Sequence, residues 1–182
     1  MLCRGDSMKE KVMMNKSVLV LTRIGLLSAV ALILSAVENM IPALPFALPG
    51  MKLGLSNLAV MFALELCSLP GAVCVVAAKA VFALLTRGVT AFFMSLAGGV
   101  LATLAMWMML RIKKLQFGCL GIGIAGAFLH NCGQLLVALV LVSDAVYAYF
   151  PVLSLASVAT GALTGLVYYI IMPHLKRIPL LS

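Results

Sequence analysis

Three polar side chains lie close together in the middle of a long apolar segment, where they could bind a small molecule through hydrogen bonds. His130, Asn131 and Gln134 fall within residues 117–142, which are otherwise apolar or small. Residues four apart share a helix face, so His130 and Gln134 face the same way and Asn131 borders them. Polar groups inside a membrane span are costly and mark candidate sites. Hydrogen bonding between helices is the structural alternative.

A second polar group follows the chain break at Pro49-Gly50, which predicts a helix start near residue 51. Lys52 would lie in the first turn of that helix, and Asn57 about one turn farther in. Free backbone N–H groups at a helix N-terminus, together with a lysine, would attract an anion. The alternative is that Lys52 extends to the outer interface with its charge in water.

Two further cations are positioned by the next apolar runs, which we expect to form an antiparallel hairpin turning near residues 69–70. Arg87 would then end at the same outer rim as Lys52, and Lys79 would lie near the depth of Asn57. Glu65 would lie about one and a half turns closer to the cytoplasm. We favour an ion pair between Lys79 and Glu65.

Catalysis by this chain is not expected, because its five acidic residues are dispersed and magnesium-dependent diphosphate chemistry needs clustered carboxylates. The sequence has no GxxxxGK[ST] loop. A GxGxxG string at residues 121–126 lies in an apolar helix rather than after a strand, so it predicts close helix packing. We expect no catalytic residues, no cofactor and no metal centre. The acidic residues are Asp6, Glu10, Glu38, Glu65 and Asp144.

The elements that position these residues are six apolar runs, which predict an all-α polytopic membrane protein with a compact bundle of six transmembrane helices. Hydrophobic residues make up 64% of the 182-residue chain and charged residues only 10%. About 20 apolar residues are needed to cross a bilayer as a helix, so the second and third runs are short. The runs are Val18–Ile41, Met51–Leu66, Gly71–Thr86, Ala91–Leu110, Phe117–Val142 and Pro151–Met172.

The chain is predicted to have a basic cytoplasmic tail at 1–17, a single membrane domain at 18–173 and a second cytoplasmic tail at 174–182. Basic residues cluster before the first run, after the fourth and after the sixth. Cytoplasmic loops retain such charge, so both termini are expected in the cytoplasm of a bacterial-type plasma membrane. Because these charges lie at membrane borders, the net charge of +8 does not predict nucleic acid binding.

The first run carries two pairs of small residues with helical spacing, Gly25 with Ala29 and Ala31 with Ser35. This spacing suits close helix contact in membranes. The partner helix could belong to this chain or to another subunit.

Three strings, at residues 49–58, 95–99 and 127–135, resemble the Gx transporter family, also called heptaprenyl diphosphate synthase component I. The resemblance covers about residues 17–176. This family is similar to the S components of energy-coupling factor transporters, which capture vitamins or related small molecules from outside. S components dock on a coupling subunit with paired ATPases, often through Ala-x-x-x-Ala on the first helix. The nearest equivalents here are the two small-residue pairs.

The resemblance implies a membrane subunit that captures a small molecule and has no ATPase of its own, and the polar residues predict that this ligand is anionic and partly apolar. The anion would be attracted by Lys52 and Arg87, and the ligand would be oriented by Asn57, His130, Asn131 and Gln134. The alternative is a membrane accessory protein of prenyl, quinone or flavin-linked electron-transfer metabolism. The synthase name fits only an accessory role, because this chain has no aspartate-rich magnesium motif.

Overall fold

The computed structural model describes residues 16–40, 54–112, 118–141 and 143–178. The described residues form five α-helices and a short 3-10 helix, so the predicted all-α class is confirmed. The helices are α1 Lys16–Met40, α2 Asn57–Arg87, α3 Val89–Arg111, α4 Cys119–Leu141 and α5 Phe150–Leu175, with the 3-10 helix at Asp144–Tyr149.

Within the described residues, five helices are long and apolar enough to cross a membrane, whereas the sequence predicted six. The difference lies in α2, which takes up most of the second and third predicted spans as one element. Its helical geometry breaks at Ser68, where φ is 62° and ψ is −176°. Pro70 has no N–H to donate to the carbonyl of Leu66. Arg23 of α1 donates to that carbonyl instead, at 3.4 Å.

The two halves of α2, residues 57–67 and 69–87, lie side by side. Lys79 Nζ donates a hydrogen bond of 2.9 Å to Asn57 Oδ1. In an unbroken helix these residues would be about 33 Å apart. The predicted depth match between Lys79 and Asn57 is therefore confirmed. The first half is only about 16 Å long, roughly half the thickness of a bilayer core.

Glycines bring neighbouring helices into backbone contact. A Cβ on Gly133 of α4 would lie 2.7 Å from the Cα of Gly98 on α3, and a Cβ on Gly123 would collide with the carbonyl of Gly161 on α5. Second contacts, of Gly126 with Met106 and of Gly165 with Cys119, show that α3, α4 and α5 run antiparallel in sequence order. Gly123 belongs to the GxGxxG string, so its predicted packing role is confirmed.

The bundle core lies between α2, α3 and α5. Phe62 stacks on Tyr168 with ring centroids 5.2 Å apart, next to the fully buried Val75 and Ala102. Among the described elements, α1 packs against α2 alone. One long side of α1 is consequently left exposed.

Candidate functional site

Four buried polar side chains from α2 and α4 surround the start of α2, and we call them the midplane cluster. Each is at most 4% exposed. They are joined by Gly54, because a Cβ on Gly54 would lie 3.1 Å from Asn57 Nδ2 and 3.5 Å from His130 Cδ2. The structure thus brings together residues that the sequence placed in two separate groups. The members are Asn57, Lys79, His130 and Gln134.

The cluster lies near the middle of the membrane-spanning bundle. Asn57 and Lys79 are each about 16 Å along a helix from the break at Ser68. His130 is about 16 Å from the first residue of α4. Since a bilayer core is about 30 Å thick, these residues lie near its midplane. Discontinuous helices at this depth commonly form the binding sites of transporters.

Hydrogen bonds within the cluster fix the ring of His130. Gln134 Nε2 lies 3.0 Å from His130 Nε2. With the Gln134 amide donating, His130 Nε2 accepts and the ring proton is on Nδ1. The ring is also held by α3, because a Cβ on Gly98 would lie 2.9 Å from His130 Nδ1. Only glycine leaves room at that position for the histidine.

The backbone before α2 is non-helical at membrane depth, and the protein encloses it. Gly54 has φ of +89°, a conformation that favours glycine, and both Gly54 and Ser56 are buried. The N–H of Leu55 donates to Glu38 Oε1 of α1 at 2.6 Å. Irregular backbone is tolerated inside a bilayer only where protein or a water-filled cavity surrounds it. Glu38 therefore stabilises the segment that carries Asn57.

The predicted anion site of free backbone N–H groups near residue 51 falls on residues 51–53, which lie outside the described residues. α2 begins at Asn57 rather than near residue 51, and the N–H groups of Asn57 and Leu58 donate to the carbonyls of Gly54 and Leu55. The potential donors to a ligand are side chains instead. The Nδ2 group of Asn57 is buried and has no hydrogen-bond partner among the described residues.

The predicted ion pair between Lys79 and Glu65 is wrong. Glu65 pairs with Lys176 at the end of α5, with Nζ and Oε1 2.7 Å apart. Lys79 donates to Asn57 instead. Glu65 lies three residues from the break at Ser68 and Lys79 lies eleven, which separates them by about 12 Å in depth. A lysine side chain does not span that distance along the bundle.

Of the two remaining predicted cations, the structure describes only Arg87, which is not part of the cluster. Arg87 is half-buried at the end of α2, about 12 Å beyond Lys79 along the helix axis, and it interacts electrostatically with Glu38. Lys52 lies outside the described residues. The cation that the structure places within the cluster is Lys79, which the sequence interpretation had assigned to an ion pair.

Asn131 points away from the midplane cluster and towards α5. Its Nδ2 group donates to Ser157 Oγ at 2.8 Å and to the carbonyl of Leu153 at 3.4 Å. The crevice beside it, between Phe128 and Phe150, is too narrow to hold a water molecule. These contacts match the structural alternative, in which an amide links two helices.

The four small residues of α1 divide between its two sides. Ala31 is fully buried and Ser35 is 3% exposed, so both pack within the chain. Gly25 and Ala29 are exposed, and a Cβ on Gly25 would meet nothing within 4 Å. Of these four residues, only Gly25 and Ala29 are available for contact with a second subunit.

Sequence reasoning missed Glu38 and Gly54, and it named Lys79 without assigning it to the site. A lysine isolated in an apolar run is a signal in itself, because such residues mark functional sites by default. The role of Glu38 depends on a contact with backbone from another helix, which spacing does not reveal.

The cluster supplies hydrogen-bond donors from its amide groups and one positive charge from Lys79. Within the described ranges, no group of three His, Cys, Asp or Glu residues could hold a metal ion. Of the carboxylates of α1 and α2, Glu38 accepts from Leu55 beside the cluster and Glu65 pairs with Lys176 at the far end of the bundle. An acceptor-rich or anionic group is the ligand feature that these donors would bind.

Comparison with known proteins gives one family. The family model described as Heptaprenyl diphosphate synthase component I matches residues 27–171. The match includes all of α2, α3 and α4 and most of α1 and α5. No curated protein and no solved structure matches the chain.

Proposed function

This chain belongs to the heptaprenyl diphosphate synthase component I family, and from that premise we propose that it is a substrate-capture membrane subunit. It takes up a small, anionic, partly apolar molecule of the vitamin, cofactor or precursor type. Like the S components of energy-coupling factor transporters, it has no ATPase of its own and performs no catalysis. Within the described ranges, six helical segments would cross or enter the membrane if the two halves of α2 are counted separately.

The observation that carries this proposal is the midplane cluster. Four polar side chains are buried at the depth where placing them is most costly, next to a helix that begins inside the bundle. Hydrogen bonding between helices would explain one or two such groups, as it does for the Nδ2 group of Asn131. A convergent set containing a lysine and a donor without a described partner, Asn57 Nδ2, fits a bound molecule better.

The exposed side of α1 is the proposed docking surface for a coupling subunit with paired ATPases. Gly25 and Ala29 allow a partner helix to approach the backbone of α1 closely. Because α1 packs only against α2 among the described elements, a partner could contact it without displacing another helix.

A second candidate function follows from the name of the family. An accessory subunit could hold a prenyl diphosphate or a related lipid for a separate catalytic subunit in prenyl, quinone or flavin-linked electron-transfer metabolism. Five dispersed acidic residues do not support magnesium-dependent diphosphate chemistry in this chain itself. Copurifying subunits distinguish the two functions, since ATPases favour uptake and a prenyl synthase favours the accessory role.

Native mass spectrometry of the gently purified protein tests the capture function. We expect the wild-type protein to carry a small molecule and Gln134→Ala to retain at least tenfold less of it. A lost hydrogen bond to a ligand is worth about 1–3 kcal/mol, and about 1.4 kcal/mol corresponds to tenfold in affinity.

Thr103→Ala is the matched control for this experiment. Thr103 is fully buried and polar, but it donates only within α3, to the carbonyl of Gly99 at 2.7 Å. We expect it to retain the molecule at the wild-type level. Equal retention by Gln134→Ala and wild-type protein would contradict the capture function.

The proposed topology places both termini in the cytoplasm of the plasma membrane. Arg23 and Lys176 lie at the end of the bundle that contains the Ser68 break, and this basic end is the cytoplasmic one. In a cysteine-free background, a single cysteine at Ala145 should react with an impermeant maleimide in intact cells, whereas one at Ser182 should react only after lysis. Labelling of position 182 in intact cells would reverse the orientation.

A further inference from the structure

The charge and the donors of the midplane cluster define which part of the captured molecule reaches that depth. We propose that Lys79 and the amide of Asn57 together bind one oxyanion of this molecule, either a carboxylate or a phosphate group. This inference rests on the proposed function, and it assigns the anion to a lysine inside the bundle rather than to cations at the outer rim.

The first argument is the geometry of the two donors. Lys79 Nζ lies 2.9 Å from Asn57 Oδ1, so the ammonium group and the amide are in direct contact. The other end of that amide, Nδ2, is a buried donor without a hydrogen-bond partner among the described residues. Leaving a buried donor without an acceptor carries a free-energy cost. An oxyanion that accepts from both Nδ2 and Nζ would remove that cost.

The second argument is the absence of a side chain at Gly54. The space that a Cβ would fill is 3.1 Å from Asn57 Nδ2 and 3.5 Å from the ring of His130. Gly54 thus lets a ligand atom approach the unsatisfied donor more closely than any other residue would. The backbone here has φ of +89°, so glycine is also the residue that fits without strain.

The third argument is electrostatic. Asn57 is the first residue of α2, and the N-terminus of a helix carries about half a positive charge. Lys79 adds a full charge at the same depth. Glu65 pairs with Lys176 at the far end of the bundle. Two positive sources at the membrane midplane favour an anion strongly, because the low dielectric strengthens the attraction.

The outer rim is less suitable for this role. Arg87 interacts with the charge of Glu38, which reduces its attraction for an incoming anion. It also lies about 12 Å farther out than Lys79. Arg87 could guide an anion towards the bundle, but the final contact is made at Lys79.

The test measures thermal unfolding of the detergent-solubilised protein with three eight-carbon probes: octanoate, octyl phosphate and uncharged octanamide. We expect saturating octanoate or octyl phosphate to raise the melting temperature of the wild-type protein by about 5 °C, and octanamide to raise it by less than 1 °C. The two anionic probes distinguish a carboxylate site from a phosphate site.

Lys79→Gln is the informative variant, because glutamine can still donate to Asn57 but carries no charge. We expect it to fold and to lose the response to both anionic probes. Lys176→Gln is the matched control, since Lys176 is an exposed lysine at the far end of the bundle, and it should respond like the wild type.

Should Lys79→Gln fail to fold, Asn57→Ala provides a second test, because it keeps the charge of Lys79 and removes the amide donor. We expect its apparent affinity for the anionic probe to fall at least tenfold.

The inference is overturned by any of three results. The wild-type protein could respond equally to octanamide and octanoate, it could respond to neither anion, or the variants at Lys79 and Asn57 could keep the full anion response. In each case the proposed function is judged separately by retention of the copurified molecule in Gln134→Ala. If Gln134→Ala loses the copurified molecule while the variants at Lys79 and Asn57 still respond to the anionic probes, the capture function is supported but the proposed anion contact is not.

Discussion

Replacing Gly133 with valine is expected to lower the melting temperature of this protein by roughly 8 °C. A Cβ at this position would lie 2.7 Å from Gly98 Cα, 2.8 Å from Gly98 N and 2.9 Å from the carbonyl carbon of Ala97. All three are backbone atoms, so no side-chain rotation relieves the collision and α3 must move away from α4. Overpacking of this kind costs about 3 kcal/mol, which corresponds to a few degrees per kcal/mol in a chain of this size.

The same substitution at Gly121 is the matched control. Gly121 is also in α4, and a Cβ there would meet nothing within 4 Å. Gly121→Val therefore makes the same chemical change without the collision, and we expect its melting temperature to stay within about 2 °C of wild type. The two variants are compared by intrinsic fluorescence during heating. Equal destabilisation would show that the effect is one of helix propensity rather than of helix contact.

Gly133→Val should also impair the site, because α3 and α4 meet at the cluster. A Cβ on Gly98 would lie 2.6 Å from the carbonyl of His130 and 3.1 Å from Gln134 Cγ. Moving α3 outward would remove the surface that holds these two side chains. Retention of the copurified molecule should therefore fall in Gly133→Val and remain unchanged in Gly121→Val.

Much of the fold could be predicted because the physical constraints are local or repeat along the chain. Apolar runs predicted membrane helices, and the residue spacing predicted the hairpin that brings Lys79 level with Asn57. The break between the two halves was placed one residue late, at Leu69-Pro70, because the proline is visible in the sequence and the unusual backbone of Ser68 is not. Proline marks the position of a break but not the residue that adopts the non-helical backbone.

The contacts that were not predicted correctly depend on which helices lie next to each other, and the sequence alone does not show this. Glu65 was assigned to Lys79, but it pairs with Lys176, a residue 111 positions away on α5. Asn131 was grouped with Gln134 because they are three residues apart, yet α5 approaches α4 from the side of Asn131. Which neighbour covers each side of a helix follows from the packing order of the bundle. Helix periodicity alone does not give that order.

Glu38→Ala is expected to be far more destabilising than Glu65→Ala, although both remove a carboxylate with a short hydrogen bond. Glu38 is 7% exposed, and its Oε1 accepts from the backbone N–H of Leu55 at 2.6 Å. Alanine leaves that N–H without its charged acceptor inside the bundle, at a cost of about 2 kcal/mol. The melting temperature should fall by roughly 6 °C.

Glu65 provides the control, because its bond to Lys176 is as short but lies at the surface. The exposed fractions of the Lys176 and Glu65 side chains are 55% and 32%, and such pairs contribute less than about 1 kcal/mol. The melting temperature of Glu38→Gln should fall between those of the two alanine variants, since its amide oxygen still accepts from Leu55 without a charge.

Because Leu55 precedes Asn57 in the segment that opens the cluster, Glu38→Ala should also release the copurified molecule, whereas Glu65→Ala should retain it. Equal melting temperatures for the two alanine variants would mean that the contact with Leu55 does not hold the start of α2 in place.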